Sequence, residues 1–307
     1  MQHQSVLLEQ AVAALITDKN GFYIDGTFGR GGHSKQILKE LSELGRLLVI
    51  DKDPDAIVLA HELAEKDKRV SVFHGSFEAL QKAVDDLGNM GKVTGILLDL
   101  GVSSPQLDDA QRGFSFNKDG PLDMRMNTAS GITAETWLAQ VGEKALADVL
   151  YLFGEERYSR RIAREICKHR EQDAINSTLQ LAEIIKQAHP KWERNKHPAT
   201  RSFQAIRIFI NNELSDLQKA LTVMLEALSI GGRFVVISFH SLEDRIVKQF
   251  IQKEIKGGDF PVDLPITQAQ LNPRLKAIGK AVKVDAEEIN ANVRSRSAIM
   301  RIAEKIA

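Results

Sequence analysis

A carboxylate, closely spaced glycines and a helix start follow one another early in the chain, and together they suit a nucleoside ligand. An apolar run ends in Asp25, and Gly29, Gly31 and Gly32 follow within one turn. Glycines let the backbone bend tightly and approach a ligand closely. The apolar spacing after His33 predicts a helix, whose first N–H groups lack intrahelical partners and can bind a ligand. The segment therefore predicts a strand, a turn and a helix that bind an adenosine-type cofactor.

A second acidic residue, Asp51, ends the next apolar run, residues 46–50, and lies twenty positions after Gly31. This is near the spacing at which an acidic residue of a doubly wound sheet reaches ribose hydroxyls. The alternative is a helix cap, because Asp53 and Pro54 can open the next helix. Both interpretations hold together if Asp53 caps the helix and Asp51 binds the ligand.

The residues after the fourth predicted strand, 94–99, carry a candidate motif for methyl transfer. Ser104-Pro105 is similar to the motif of methyltransferases that modify exocyclic amines, with Gln106 where those enzymes have an aromatic residue. A serine hydroxyl and a backbone carbonyl can accept hydrogen bonds from an amine and so localise its lone pair. Positioning contributes most to such a displacement. An ordinary Ser-Pro turn is the alternative interpretation.

Side chains that can bind a ligand also follow the other predicted strands. Phe77 can pack against an adenine face or belong to the core. Asp99 can bind a cofactor amine or orient the reacting group. His240 follows the strand at 234–238, where it can accept a proton or lie at a helix start beside a capping acid. Because parallel strands end at one edge of a sheet, we expect these residues to share a crevice with Asp25.

The order of strand and helix patterns predicts an α/β fold with a mostly parallel, Rossmann-like sheet. The alternation breaks near residue 100, gives way to helical spacing, and then resumes. We therefore expect a cofactor-binding domain over 1–105 and 209–307, with an inserted all-helical, substrate-recognising domain over 106–208. Residues 257–292 show little periodicity and receive no assignment.

Composition excludes several classes of protein. With 307 residues and 43% hydrophobic content, the chain can bury a sizeable core. The single cysteine, Cys167, precludes an intrachain disulfide and favours a reducing compartment. No apolar run has membrane-spanning length, and the first residues lack a signal-type core. We expect a cytoplasmic protein without a membrane segment, and without a metal because no Cys/His set has zinc spacing.

Positive charge concentrates in one part of a chain whose 41 basic and 41 acidic residues balance. Residues 157–207 hold twelve Lys and Arg against five Asp and Glu, a surplus of seven. Part of the surplus recurs at steps of four, three and four, which forms one helix face: Arg157, Arg161, Arg164 and Lys168. His197 and Arg201 add a basic loop. Such a face is often plain solvated surface, but the surplus favours phosphate contact.

Five segments resemble the MraW/RsmH family, bacterial S-adenosylmethionine-dependent methyltransferases that act on small-subunit ribosomal RNA. They span most of the chain and cover residues 25–34, 96–108, 120–126, 197–201 and 237–248. The resemblance implies a class I methyltransferase fold. It implies methyl transfer from S-adenosylmethionine to the N4 amine of a cytosine in the decoding centre of 16S ribosomal RNA, with the assembled small subunit as substrate. A homodimer is compatible with the sequence, which does not fix the oligomeric state.

The resemblance also implies a set of cofactor contacts: Gly31, Gly32, His33, Asp51, Phe77, Asp99 and Gln106. We assign catalysis to Ser104 and Pro105. We expect substrate contacts at five further residues: Arg161, Arg164, His197, Arg201 and His240.

Two other functions stay open on the residues alone. A nicotinamide-dependent oxidoreductase could use the same glycines and acid. A non-catalytic RNA-binding protein could keep the pocket without the reaction. The Ser-Pro pair after a strand-end Asp99 favours methyl transfer over both.

Overall fold

The computed structural model describes residues 5–76, 79–191, 197–257 and 271–307. The chain divides into two compact units, the first formed by Met1–Gly101 with Leu214–Ala307 and the second by Val102–Glu213. The sequence placed the insert at 106–208, a few residues inside the bounds of the second unit.

The first unit is built on one sheet. Eight strands occur in the described chain: β1 (Phe22–Asp25), β2 (Arg46–Asp51), β3 (Val70–His74), β4 (Val93–Asp99), β5 (Leu228–Ser238), β6 (Leu275–Ala277), β7 (Val282–Lys283) and β8 (Ile299–Lys305). Their order is β3-β2-β1-β4-β5-β8-β6, with β7 paired to β8. β1 to β5 pair in parallel, whereas β8 runs antiparallel to β5, β6 and β7. The predicted α/β fold with a mostly parallel sheet is confirmed.

The helices follow the apolar periodicity. The described chain contains thirteen: α1 (Leu8–Leu15), α2 (Gly32–Glu40), α3 (Pro54–Lys66), α4 (Leu80–Asp86), α5 (Ser104–Asp108), α6 (Ala134–Gln140), α7 (Glu143–Gly154), α8 (Ser159–Arg170), α9 (Thr178–Ala188), α10 (Ala199–Ile210), α11 (Glu213–Ala227), α12 (Ser241–Lys256) and α13 (Ala286–Ala291). The predicted cap of α3 is confirmed, because the Asp53 carboxylate accepts the Asp55 N–H at 3.1 Å.

Neighbouring residues of each central strand point into different cores, as the period of two requires. In β1, Tyr23 packs in one buried cluster with α1, α2 and α3, whereas Ile24 packs in another with α4, α11 and α12. Both faces of the sheet are therefore covered, which explains why these strands are continuous apolar runs.

The register aligns the strand ends that were expected to carry the ligand site. Asp25 of β1 lies opposite Leu97 of β4, and Asp99 lies opposite Ile237 of β5. Because these strands are parallel, their carboxyl ends lie at one edge of the sheet. β8 runs the other way, so its first residue, Ile299, pairs with Ser238 at that same edge.

The second unit contains α5 to α10 and has its own core of buried apolar side chains. Its long irregular segment is held by polar side chains, of which Arg112 is buried and Asn211 is half-buried. The Arg112 guanidinium, 8% exposed, donates to the carbonyl oxygen of Met126 at 2.9 Å. The Asn211 amide donates to the Met124 carbonyl and accepts from the Met126 N–H, both at 2.7 Å. These bonds satisfy backbone groups that no helix or strand pairs.

Candidate functional site

The glycine-rich turn between β1 and α2 is fixed by hydrogen bonds to the strands on either side. The Gly26 N–H donates to the Leu97 carbonyl at 2.9 Å, and the Phe28 N–H donates to the Ile50 carbonyl at 3.1 Å. The Gly29 N–H donates to Asp51 Oδ2 at 2.7 Å. The turn is therefore held across the carboxyl ends of β2 and β4.

Two of the predicted cofactor glycines have steric reasons to be glycine. Gly31 precedes α2 at φ 73°, in the left-handed region, and a Cβ there would lie 2.8 Å from the Phe28 ring. A Cβ on Gly32 would lie 1.9 Å from the Ser5 hydroxyl. Gly31 thus satisfies the turn conformation. At Gly32 the space that a side chain would need is occupied by Ser5 of the same chain.

Asp25 is buried at the end of β1 and accepts hydrogen bonds from the turn and from the start of α2. Its carboxylate accepts the Thr27 N–H at 3.1 Å and the Ser34 hydroxyl at 2.6 Å. Burial nevertheless raises the pKa of Asp25 to about 6, because the hydrogen bonds do not fully offset the loss of water around a charge. The hydroxyl groups of Thr27 and Ser34 belong to the site. The sequence indicated Ser34 only for its backbone N–H at the helix start, and it gave Thr27 no role.

Asp51 ends β2 and accepts two backbone N–H groups. Gly29 donates to Oδ2, and Asp53 donates to Oδ1 at 2.8 Å. Burial raises the pKa of Asp51 to about 6, and the nearby charges of Asp53 and Asp25 add to the rise. A carboxylate has about four acceptor positions. Asp51 can therefore hold the turn and still accept hydrogen bonds from ligand hydroxyls.

Asp99 ends β4 and is the most perturbed carboxyl group of the site. Its N–H donates to the Thr27 hydroxyl at 2.6 Å, and its Oδ2 lies 3.7 Å from Nδ1 of His33. Its Oδ1 is buried and finds no hydrogen-bond partner among the described residues. Burial, followed by the charges of Asp25 and two glutamates, raises the pKa of Asp99 well above its ordinary value.

The structure thus brings together five predicted cofactor residues in the first unit: Gly31, Gly32, His33, Asp51 and Asp99. Three carboxyl groups with raised or strongly raised pKa values surround one turn. A cation that donates hydrogen bonds would reduce the repulsion between these carboxylates and would offset the free-energy cost of burying their charges. Phe77, another predicted cofactor residue, lies outside the described residues.

Ser104, Pro105 and Gln106 lie in the second unit and form the first turn of α5. Ser103 caps this helix: Gln106 Oε1 accepts the Ser103 N–H at 2.8 Å, and the Ser103 hydroxyl accepts the Gln106 N–H at 3.4 Å. Ser104-Pro105 is thus the start of a capped helix, which fixes the Ser104 backbone, and its role in methyl transfer stays a prediction. Gln106 is buried and part of this capping box.

The predicted basic residues also lie in the second unit. Arg161 and Arg164 are exposed on α8, and Arg164 Nε lies 3.7 Å from Glu143 Oε1 on α7. The ring of His197 stacks at 4.6 Å on Phe116, and burial lowers the pKa of His197. Arg201 donates to the Glu155 carbonyl at 3.5 Å.

His240 lies in the first unit, where it caps α12. Its Nδ1 accepts the Glu243 N–H at 3.4 Å, and the Glu243 carboxylate accepts the Phe239 N–H at 2.8 Å. The interpretation of His240 as part of a helix start with a capping acid is confirmed.

A metal cluster and a membrane-spanning helix are both absent from the described ranges. These ranges contain no group of three or more His, Cys, Asp or Glu that could hold a metal ion. Among their helices, none has both the length and the apolar character needed to cross a bilayer.

A family model for the MraW methylase family matches residues 1–306 of the chain. The chain belongs to this family. The resemblance given by the five sequence segments is confirmed. The mostly parallel sheet agrees with the class I methyltransferase fold that this membership implies.

Curated relatives match over almost the full length. The chain is 52% identical over 306 residues to ribosomal RNA small subunit methyltransferase H of Marinomonas sp. (strain MWYL1), covering 100% of this chain and 98% of that protein. It is 55% identical to the protein of the same name from Chromohalobacter salexigens, covering 99% and 92%. Among solved structures, an rRNA methylase from Streptococcus thermophilus shares 10% identity, with a TM-score of 0.43 and coverage of 97% and 93%. That TM-score is too low to support an argument.

The raised pKa of Asp25 predicts a pH-dependent cost of folding. When the pKa of an acid is higher in the folded state than in the unfolded chain, ionisation of that acid destabilises the folded protein. For Asp25 the loss of stability occurs as the pH rises from 3.8, the ordinary pKa of an aspartate, to about 6 and above. We expect Asp25→Asn to stabilise the protein relative to wild type by up to about 3 kcal/mol at pH 7.5 and by little at pH 4. Thermal unfolding of both proteins across this range measures the difference.

Asp148→Asn, the same substitution at an exposed position on α7, is the matched control and should change stability by less than about 0.5 kcal/mol at either pH. A stability difference for Asp25→Asn that stays constant between pH 4 and 7.5 would contradict the burial argument.

Proposed function

We propose that this chain transfers a methyl group from S-adenosylmethionine to the N4 amine of a cytosine in the decoding centre of 16S ribosomal RNA. The observation that carries the proposal is the glycine-rich turn with Asp25, Asp51 and Asp99 around it, in a chain of the MraW methylase family. The names of its relatives support the small-subunit ribosomal RNA as the substrate class. A cytoplasmic location follows, since bacterial ribosomes are assembled there.

The donor groups of S-adenosylmethionine fit the acceptors of this site. The cofactor carries a sulfonium and an ammonium group, which outweigh its one carboxylate, and a ribose with two hydroxyls. Asp51 can accept from the hydroxyls, and the buried Oδ1 of Asp99 offers an acceptor for an amine. By family resemblance, Gly31 to His33, Phe77 and Gln106 complete the contacts. When bound, the cofactor supplies a methyl group already activated for displacement.

Ser104 and Pro105 are proposed to orient the amine. An aromatic amine is a poor nucleophile because its lone pair is delocalised into the ring. The Ser104 hydroxyl and a neighbouring carbonyl can accept its two N–H groups and favour the geometry with a localised lone pair. The Ser103–Gln106 capping box holds the Ser104 backbone in place for this role. Precise positioning of this kind is where the rate gain is expected.

Loss of the Ser104 hydroxyl should therefore impair turnover more than cofactor binding. We expect Ser104→Ala to lower kcat by about tenfold to a hundredfold while the Kd for S-adenosylhomocysteine changes less than about threefold. Methyl-incorporation kinetics and calorimetry measure the two quantities. Ser115→Ala, in the same unit but outside α5, is the control. An unchanged kcat in Ser104→Ala would end this assignment.

The second unit is proposed to bind the RNA. Arg161 and Arg164 are exposed on α8, and the surplus of positive charge lies in this part of the chain. His197 lies just before α10 and Arg201 lies on it, so the predicted basic loop is helical at Arg201. Exposed arginines that neutralise phosphates release counterions, so this contribution must depend strongly on salt.

Charge reversal on α8 tests that contribution. We expect Arg161→Glu with Arg164→Glu to weaken binding of small subunits at least tenfold and to reduce the slope of log K against log salt by about one to two units. Filter binding over a salt series measures both. The double reversal of exposed Lys66 and Lys68 makes the same charge change in the first unit and serves as control. Equal affinities and slopes for all three proteins would make the α8 face plain surface.

The reaction itself is tested with small subunits from cells that lack this protein. Incubation with radiolabelled S-adenosylmethionine should transfer one methyl group, and mass spectrometry of the digested RNA should place it on N4 of one decoding-centre cytosine. A methyl group elsewhere would correct the target. An oxidoreductase would be favoured by two results together. No methyl group would be transferred to subunits or free RNA, and in a thermal-shift assay NAD would stabilise the protein whereas S-adenosylhomocysteine would not.

A further inference from the structure

The residues that lead into α1, here named the entry segment (residues 5–7), are packed onto the cofactor turn. Val6 is 5% exposed and Leu7 only 1%. Leu7 has φ 51°, a left-handed conformation that costs a branched side chain free energy. A buried residue keeps such a conformation only when its surroundings hold it there, so the contacts of the entry segment must be specific.

Two of those contacts reach the start of α2. The Ser5 hydroxyl occupies the space above Gly32, where any side chain would collide with it. The Val6 carbonyl oxygen lies 3.2 Å from Nε2 of His33. The entry segment therefore touches two of the residues assigned to the cofactor.

The anchor of the entry segment comes from the far end of the sequence. The Leu7 N–H donates to Glu288 Oε1 on α13 at 2.8 Å. Asp285 caps α13 by accepting the Glu288 N–H, also at 2.8 Å, which fixes the backbone that carries the anchor. α13 follows β7, whose Lys283 pairs with Ile299 at the carboxyl edge of the sheet. This position brings Glu288 to the edge where the strand-end carboxyl groups lie.

The Val6 contact decides the form of His33. A carbonyl oxygen can only accept, so Nε2 must carry the proton. In the neutral imidazole Nδ1 is then the acceptor, and it faces Asp99 Oδ2 at 3.7 Å. This contact is favourable when the Asp99 carboxyl, whose pKa is raised by burial, carries the proton. The opposite tautomer would place two acceptors, Nε2 and the Val6 oxygen, against each other.

We propose that Glu288 is a positioning residue of the cofactor site: by anchoring Leu7, it holds the Val6 carbonyl against His33 and so sets the tautomer and orientation of the imidazole beside Asp99. The proposal rests on the proposed function only in taking His33 and Asp99 as cofactor contacts. Glu288 acts through the entry segment, and its essential property is an acceptor oxygen for the Leu7 N–H. The charge of Glu288 has a separate effect on the site, because it adds to burial, Asp25 and Glu243 in raising the pKa of Asp99.

Two substitutions separate the acceptor from the charge. Glu288→Gln keeps an oxygen that can accept from Leu7, whereas Glu288→Ala removes it. We expect the Kd for S-adenosylhomocysteine, measured by calorimetry, to rise about tenfold in Glu288→Ala and less than about threefold in Glu288→Gln. Glu287→Ala, an exposed neighbour on the same helix, should match wild type. Equal losses in the Gln and Ala variants would overturn the anchoring role, as would no loss in either.

A nitrogen-15 NMR spectrum of the His33 ring gives a readout that does not need the cofactor. Wild type and Glu288→Gln should show the tautomer protonated at Nε2, and Glu288→Ala should show a mixture. A wild-type ring protonated at Nδ1 would overturn the proposal even if Glu288→Ala failed to fold. Absence of S-adenosylhomocysteine binding in wild type, with the His33 tautomers as expected, would refute the proposed function and leave the positioning intact.

Discussion

The backbone hydrogen bonds that hold the glycine-rich turn across two strand ends determine the rest of the site. Gly26 and Phe28 each donate to a carbonyl at a strand end, and Gly29 donates to Asp51. These bonds fix where α2 begins and therefore where His33 lies. They also fix the distance between the strand-end carboxylates, because both neighbouring strands are joined to the same few residues of backbone.

Burial of carboxyl groups gives the site its preference for a cation. Asp25 and Asp51 keep hydrogen bonds from the turn, yet burial still raises their pKa values to about 6. Burial, followed by the charges of Asp25, Glu243 and Glu288, raises the pKa of Asp99 well above its ordinary value. Burying these charges reduces the free energy of unfolding, and a positively charged ligand that binds beside them offsets part of that cost. The same residues thus reduce stability and favour binding, a common arrangement at functional sites.

Local patterns were sufficient to predict the parallel part of the sheet, the turn and the aspartates, but β6 and β7 lie in residues 257–292, which received no assignment. Asp51 was singled out because it ends an apolar run and lies twenty positions after Gly31, near the spacing at which an acid reaches ribose hydroxyls. Glu288 could not be found, since its bond to Leu7 joins residues 281 positions apart and no local pattern marks either. His240 was ambiguous because proton transfer and helix capping favour the same residue at the same place. Only the Glu243 contact settles its structural role.

The central claim is that the glycine-rich turn and the carboxylates around it form the cofactor site. Calorimetry of S-adenosylhomocysteine binding to Asp51→Asn tests this claim, with Asp55→Asn as control. The substitution keeps the size of the side chain and an oxygen for one backbone N–H, and it removes the charge and an acceptor. The account predicts that the Kd rises about tenfold to a hundredfold in Asp51→Asn and is unchanged in Asp55→Asn. Equal affinities for wild type and Asp51→Asn would contradict it.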